Sequence, residues 1–312
     1  MKIVFLTPRF FPDIGGVEKH CFELSKRFVE LGHKVTVVTA KSNVKQRDFE
    51  VVENIIVKRF SYHRVKFFGL LMIWFKLLGL NKLFRQADII HIHDVVIWYL
   101  PLRVFLLNKK IYATFHGWEG KYPIPFVNIL LKKFSRVLAY KVICIGSFIE
   151  KYYGVSADKV IYGGVDLRKF KVGKKVEGCL VYLGRLEKDT GLLKFLAWYK
   201  KNKSKYPNLL FCGDGSLKDL CQNYGKVLGF VDPLPYLKSA ELCVPGGYLS
   251  ALEALSCGCK LKLFWHNPVK KDYWLLSPFY SFQFSQKNLR AFLQGSDWSN
   301  IAKIYLKLWQ KS

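Results

Sequence analysis

What most constrains this chain is the alternation of short, largely apolar, β-rich runs with segments of helical periodicity. In the first half the runs fall at 3–6, 35–39, 55–60, 89–93, 111–116, 142–145 and 160–162. Runs that stay apolar, rather than alternating apolar with polar, suit strands buried on both faces, and so a parallel sheet covered by helices on each side. The intervening pattern is clearest at Val17, Cys21, Leu24, Phe28 and Leu31, whose spacings of three and four residues draw one stripe before Gly32 ends the helix. Sheets of this kind bind ligands at the carboxyl ends of their strands, and Gly15-Gly16 follows the first strand there.

A polar, basic stretch at 169–178 reads as a linker. Beyond it the alternation resumes, with strands at 180–182, 209–212, 227–228, 242–244 and 261–264 and helices near 192–201, 217–223, 248–256 and 289–293. The amphipathic segment 298–309 is expected to pack back on the first domain. A chain of 312 residues accommodates two such domains, 1–170 (joined by 298–312) and 171–297.

Within the second series, Val244-Pro245-Gly246-Gly247-Tyr248-Leu249-Ser250-Ala251-Leu252-Glu253 reads as a strand end, a glycine turn and a helix start. Glycines let the backbone approach an anion, and the unpaired N–H groups of the first helical turn point at it along the favourable end of the dipole. Gly246, Gly247 and Tyr248 are therefore candidate phosphate-binding residues, with Glu253 placed to accept hydrogen bonds from ribose hydroxyls. The plainer reading is a glycine turn before a packed helix.

Charge points the same way. Fifty Lys and Arg against 23 Asp and Glu give a formal charge of +27, which favours anionic partners: nucleotides, nucleic acid or an acidic membrane surface. A general bias toward lysine is the bland alternative. The eight cysteines are scattered without a C-x-x-C pair, which argues for reduced core residues of an intracellular protein. The N-terminus reads as a first buried strand, not a signal peptide. The longest apolar run, 67–80, is interrupted by Lys76 and falls short of the roughly 20 residues a membrane span needs.

Six motifs follow one another along the chain: Pro12-x-x-Gly15-Gly16-x-Glu18-x-His20 with Gly32-His33-x-Val35; Thr114-Phe115-His116-Gly117; Gly164-Val165-Asp166-x-x-x-Phe170; Gly184-Arg185-Leu186; Gly213-Asp214-Gly215; and Leu252-Glu253-Ala254-Leu255-x-x-Gly258. Taken together, they resemble the retaining GT-B glycosyltransferases of the glycosyltransferase family 4 type. Their order and spacing cover nearly the whole chain. The resemblance implies two Rossmann-like, doubly wound parallel-sheet domains facing a cleft, with the nucleotide sugar held mostly by the second. It implies that Gly15 and Gly16 lie against the donor diphosphate and that Arg185 neutralises it as the glycosyl bond breaks. A guanidinium suits that task because it stays charged and offers a fork of donors. His116 resembles the family histidine near sugar and acceptor. A core or interdomain histidine is the plainer reading. Asp166 is read as the cap of the following turn.

The chain departs from the family at three places. A lysine usual five residues after the arginine is Thr190, a glutamate usual eight residues before Glu253 is Pro245, and an asparagine usual before Gly-Val-Asp is Gly163. Lys188, Lys270 and Lys271 are candidates for the missing charge. No acidic D-x-D cluster suited to Mg²⁺ is seen, so catalysis is expected to need no metal and no cofactor beyond the donor, a nucleotide-diphosphate sugar. The expected activity is transfer of a hexose, with retention, to a lipid-linked, polysaccharide or other glycan acceptor. Two alternatives are a sugar-nucleotide epimerase of the same fold and a non-catalytic binding or partner subunit.

The segment from His63 to Arg85 mixes large apolar residues with basic ones and contains no acid. It reads either as a helix lying on an anionic membrane through Trp74 and Phe75, or as a helix packed on the sheet with solvated lysines. Nucleic acid is disfavoured, since no recognition helix or stacking motif accompanies the charge. The expected location is the cytoplasm, peripheral to the cytoplasmic membrane face.

Overall fold

A computed structural model describes residues 1–63, 68–117, 120–282 and 286–310. The first part of the chain runs β1 (Lys2–Thr7), α1 (Gly16–Glu30), β2 (Lys34–Ala40), β3 (Phe49–Val52), β4 (Ile55–Phe60), α2 (Phe68–Leu78), α3 (Asn81–Gln86), β5 (Ile89–His93), a 3-10 turn (Val96–Tyr99), α4 (Leu100–Phe105), β6 (Ile111–Phe115), α5 (Phe126–Leu138), β7 (Lys141–Cys144), α6 (Ser147–Tyr153) and β8 (Lys159–Val160). It continues with β9 (Val176–Leu183), a 3-10 turn (Lys188–Thr190), α7 (Leu192–Lys200), β10 (Asn208–Cys212), α8 (Lys218–Gln222), β11 (Lys226–Gly229), α9 (Leu234–Ser239), β12 (Ala240–Pro245), α10 (Tyr248–Ser256) and β13 (Lys260–Leu261). The last helices are α11 (Pro268–Leu275), α12 (Pro278–Phe282), α13 (Gln286–Gly295) and α14 (Trp298–Gln310).

Two compact units result. The first comprises Met1–Glu119, Pro123–Tyr162 and Trp298–Ser312, the second Gly120–Tyr122 and Gly163–Asp297. Residues 169–178 thus lie inside the second unit and are no linker: Phe170 is buried, the Gly173 N–H donates to the Cys257 carbonyl, and β9 starts at Val176.

The first unit holds an eight-stranded sheet in the order β3-β4-β2-β1-β5-β6-β7-β8. Every pairing is parallel except β3 with β4. That hairpin turns through Glu53 and Asn54, both at positive φ, as a tight two-residue turn between twisted strands requires. Along β5 and β6 every residue is buried, including His91, His93 and Thr114, as strands covered on both faces demand. Right-handed crossovers on either side of β1 put α1 on one face and α4 and α5 on the other. Helix α14 packs against α1, while α2, α4 and α5 gather around the 3-10 turn at 96–99.

The second unit is an all-parallel sheet, β11-β10-β9-β12-β13. Its core joins β9, β10 and β12 to α7, with Tyr182, Phe195 and Phe211 in mutual ring contact. The strands read at 160–162 and 261–264 are shorter than expected, ending at Val160 and Leu261. All eight cysteines are free and buried.

Candidate active site

In the second unit three glycine turns meet at the carboxyl ends of the adjacent strands β10, β9 and β12. A Cβ on Gly213 would overlap the Gly184 carbonyl, and one on Gly184 would come 2.8 Å from the Gly246 Cα. Gly184 also sits at φ +151, where side chains are rarely tolerated. The strand ends therefore pack backbone on backbone, and Arg185 follows immediately, its N 3.6 Å from where a Gly246 Cβ would be.

Gly247 is the N-cap of α10 in extended conformation, so the first turn of that helix opens directly off the β12 edge. Not every candidate donor there is available. The Gly246 N–H is spent on the Leu183 carbonyl (2.7 Å), and the Tyr248 N–H donates to the Tyr273 hydroxyl. The sheet and α11 thus hold the N–H groups of Gly246 and Tyr248, two of the three phosphate donors expected from the sequence. The remaining first-turn donors, starting with Gly247, are the ones a helix of this kind leaves unpaired.

Two cations serve this turn. Arg185 is largely exposed and its Nη2 donates to Asp189 Oδ2 at 2.6 Å. The loop carrying it is laced to the one after β10: the Leu186 N–H donates to the Asp214 carbonyl, and Glu187 accepts from both the N–H and the hydroxyl of Ser216. Those bonds from Ser216 hold the Glu187 carboxyl below its ordinary range. Thr190, by contrast, is buried, bonded to the Tyr182 hydroxyl and the Glu187 carbonyl.

The second cation is Lys270, one of three lysines the sequence offers without ranking. It is buried, and its Nζ donates to the Gly246 carbonyl at 2.8 Å, 4.2 Å from the Tyr273 ring centre and 4.7 Å from that of Trp274. Its helix starts with an Asn267 cap, Oδ1 accepting from the Lys270 N–H, followed by Pro268. Burial pulls the ammonium pKa from 10.5 down to about 7; Asp189 opposes that shift and Arg185 adds to it. Glu253 lies on the inner side of α10, buried, near enough to Cys243 and Cys257 to help raise their thiol pKa values after burial itself.

In the first unit, Gly15 caps α1 in extended conformation, with the Glu18 carboxylate folded over it, while the Cβ position of Gly16 is open. One turn on, His20 meets His116 at 4.7 Å between ring centres. His116 directly follows β6; its backbone N–H donates to Asp94 Oδ1 (3.0 Å), and its Nε2 lies 2.9 Å from His93 Nδ1. Burial, more than repulsion from neighbouring cations, holds both imidazoles well below their usual pKa, so both are neutral at physiological pH. The His93 Nε2 is buried without a hydrogen-bond partner. A bare lone pair there costs less than an orphaned N–H, so His93 donates from Nδ1 to His116 Nε2, and His116 carries its own proton on Nδ1. Ligand atoms of Cys21, His93 and His116 lie within 4.8 Å of one another, the one metal-capable group among the described residues. Sequence reasoning found His116 and missed His93, whose His91-x-His93 spacing on a strand was the available signal.

A pair of parallel-sheet units, one with a glycine turn feeding a helix at its strand ends, is the GT-B glycosyltransferase fold, and solved structures agree. The sucrose-phosphate synthase of Thermosynechococcus elongatus superposes with a TM-score of 0.71 over 100% of both chains at 15% identity. Anabaena HepE, in complex with UDP and glucose, gives 0.70 over 100% of both chains, also at 15%. Among curated sequences, the gpi3 subunit of the Schizosaccharomyces pombe phosphatidylinositol N-acetylglucosaminyltransferase is 60% identical over 30 residues, spanning 10% of this chain and only 7% of that subunit. The profile of glycosyltransferase family 4 matches residues 14–169, half of the chain. The chain belongs to that family.

Proposed function

We propose that the protein is a retaining glycosyltransferase that moves a hexose from a nucleotide-diphosphate sugar to a lipid-linked, polysaccharide or other glycan acceptor, without a metal. The observation that carries this reading is the turn at 245–248, where a helix N-terminus, Arg185 and the buried Lys270 supply positive potential at one strand edge. Positive charge and N–H dipoles held where a leaving diphosphate gains charge are the largest stabilisation open to a metal-free site. In this reading Glu253 holds the ribose, Gly15 and Gly16 admit the diphosphate, and His116 offers a neutral N–H to sugar or acceptor. HepE's bound UDP and glucose support the donor class, and the name of the gpi3 relative supports a lipid acceptor. The Cys21, His93 and His116 group offers sulfur and nitrogen, not the oxygen ligands that bridge Mg²⁺ to a diphosphate. The place of work is the cytoplasmic side of a membrane.

The test is slow hydrolysis of a panel of UDP-, GDP- and ADP-sugars by the purified protein, with and without EDTA. Release of sugar from one donor, unchanged by chelation, is expected. Interconversion of the donor sugar without release would make the protein an epimerase, nucleotide binding without turnover would make it a binding subunit, and loss in EDTA restored by Mg²⁺ would overturn the metal-free mechanism.

A further inference from the structure

Helix α5 is built inside out. Its buried positions include Lys132 and Ser135, while Phe126, Val127, Leu130, Leu131, Phe134 and Val137 are exposed, Phe126 at 70% and Val137 at 82%. The inward lysine is held by Asp94 Oδ1 at 3.3 Å and lies over the Phe115 and Tyr153 rings. With Lys132 satisfied inside and Arg136 bonded to the Ser156 carbonyl and Asp158, the helix presents an apolar strip about 20 Å long. Solvent-facing apolar residues in so continuous a run mark an interaction surface.

The surroundings say what kind. Along the sequence, residues 54–149 contain fifteen Lys and Arg and three carboxylates, Asp88, Asp94 and Glu119, while beyond that stretch Asp158 pairs with Arg136 of α5 at 3.1 Å and Glu150 lies on α6. Asp88 accepts from the Lys2 N–H and Asp94 holds Lys132, so two of the three are engaged. At the far end of α5 the Tyr140 ring lies between Lys110 Nζ (4.9 Å) and Lys141 Nζ (5.6 Å). Helices α2 and α4 share the same side of the sheet and add exposed Phe75 and Phe105. A second copy of so basic a surface would be repelled; an anionic bilayer meets both the apolar strip and the cations around it.

We infer that this face, centred on α5, seats the protein on anionic lipid. The inference does not depend on the transferase reading, since vesicle binding requires neither donor nor acceptor. It centres docking on α5 and keeps only Phe75 from the 63–85 segment. There Trp74 is tied inward by its Nε1–H to the Ile97 carbonyl, Ile73 and Leu77 are buried, and residues 64–67 lie outside the described residues.

Flotation of the full chain on phosphatidylcholine vesicles, with and without phosphatidylglycerol, tests it. Binding should require phosphatidylglycerol and be lost near 1 M salt, where the screening length is about 3 Å. The triple variant Val127→Ser, Phe134→Ser, Val137→Ser should float at least about tenfold less while keeping the wild-type circular dichroism and melting temperature, since all three positions are exposed. A wild-type protein that stays behind at low salt overturns the inference, as does a triple variant that floats as well as wild type. Light scattering showing a dimer that the variant dissociates would assign the strip to a second copy instead.

Discussion

Lys270 shows what one side chain can do when a sequence pattern is broken. The position where the family places a lysine is a core threonine here, and the charge arrives from a helix start 24 residues beyond the Gly246 carbonyl that it holds. Burial holds its pKa down at about 7, and an arriving diphosphate favours the charged form. Lys270→Met should therefore weaken binding of whichever of UDP, GDP or ADP the wild type prefers by roughly tenfold to a hundredfold, and leave the matching nucleoside unaffected. The sign of the pH effect follows: wild-type affinity should fall as pH rises above about 7, and the variant should lose that dependence. Calorimetric titration at pH 6.5 and 8.5 checks both, and an equal loss for nucleoside and nucleotide would reduce Lys270 to a support for the turn. The glycine turn at Gly246 and Gly247 was readable because it is local. Lys270 was only one of three candidates, because its place depends on packing across the whole of α11.

At the scale of elements, strands were legible wherever both faces are buried and obscure where they are not. β3 alternates exposed and half-buried positions on the sheet edge, so Phe49–Val52 carries no apolar run to read. Helix α5 has a strong periodicity, but its pattern gives no sign that lysine faces in and phenylalanine out. The basic run at 169–178 resembled a linker by composition, although Phe170 fixes it in a core. Helix α14 makes the sharpest energetic claim. Its Trp309 is buried against the Phe28 ring (4.9 Å between centres) and donates from Nε1 to His91 Nδ1, while Tyr305 meets His20 and Thr114. Trp309→Ala should destabilise the first unit by about 3–5 kcal/mol, whereas Gln310→Ala, one exposed step further on, should change little. Urea unfolding followed by circular dichroism measures both, and equal midpoints would mean that α14 is not part of that unit's core.

Over the whole molecule, three buried imidazoles and the half-buried His116 make the first unit sensitive to acid. Burial lowers His20 and His91 from 6.5 to about 3 and pushes His93 and His116 the same way. The folded state refuses protons that the unfolded chain accepts, so stability is complete above about pH 6.5 and declines as pH falls toward 3. Each such histidine removes up to about 1.4 kcal/mol per pH unit in that window. Denaturant midpoints should drop clearly between pH 7.5 and pH 5; a midpoint independent of pH over that range would contradict the neutral cluster. A second consequence concerns time. The residues that finish the first unit, Trp298 onward, leave the ribosome only after all of 163–297. At 5–20 residues per second, the unit begun first waits roughly 7–27 s for its last helix while the second is already complete in sequence. During that interval His20, His91 and the sheet face beneath them lack their cover, so the first unit waits with part of its core uncovered while the second can already close its own.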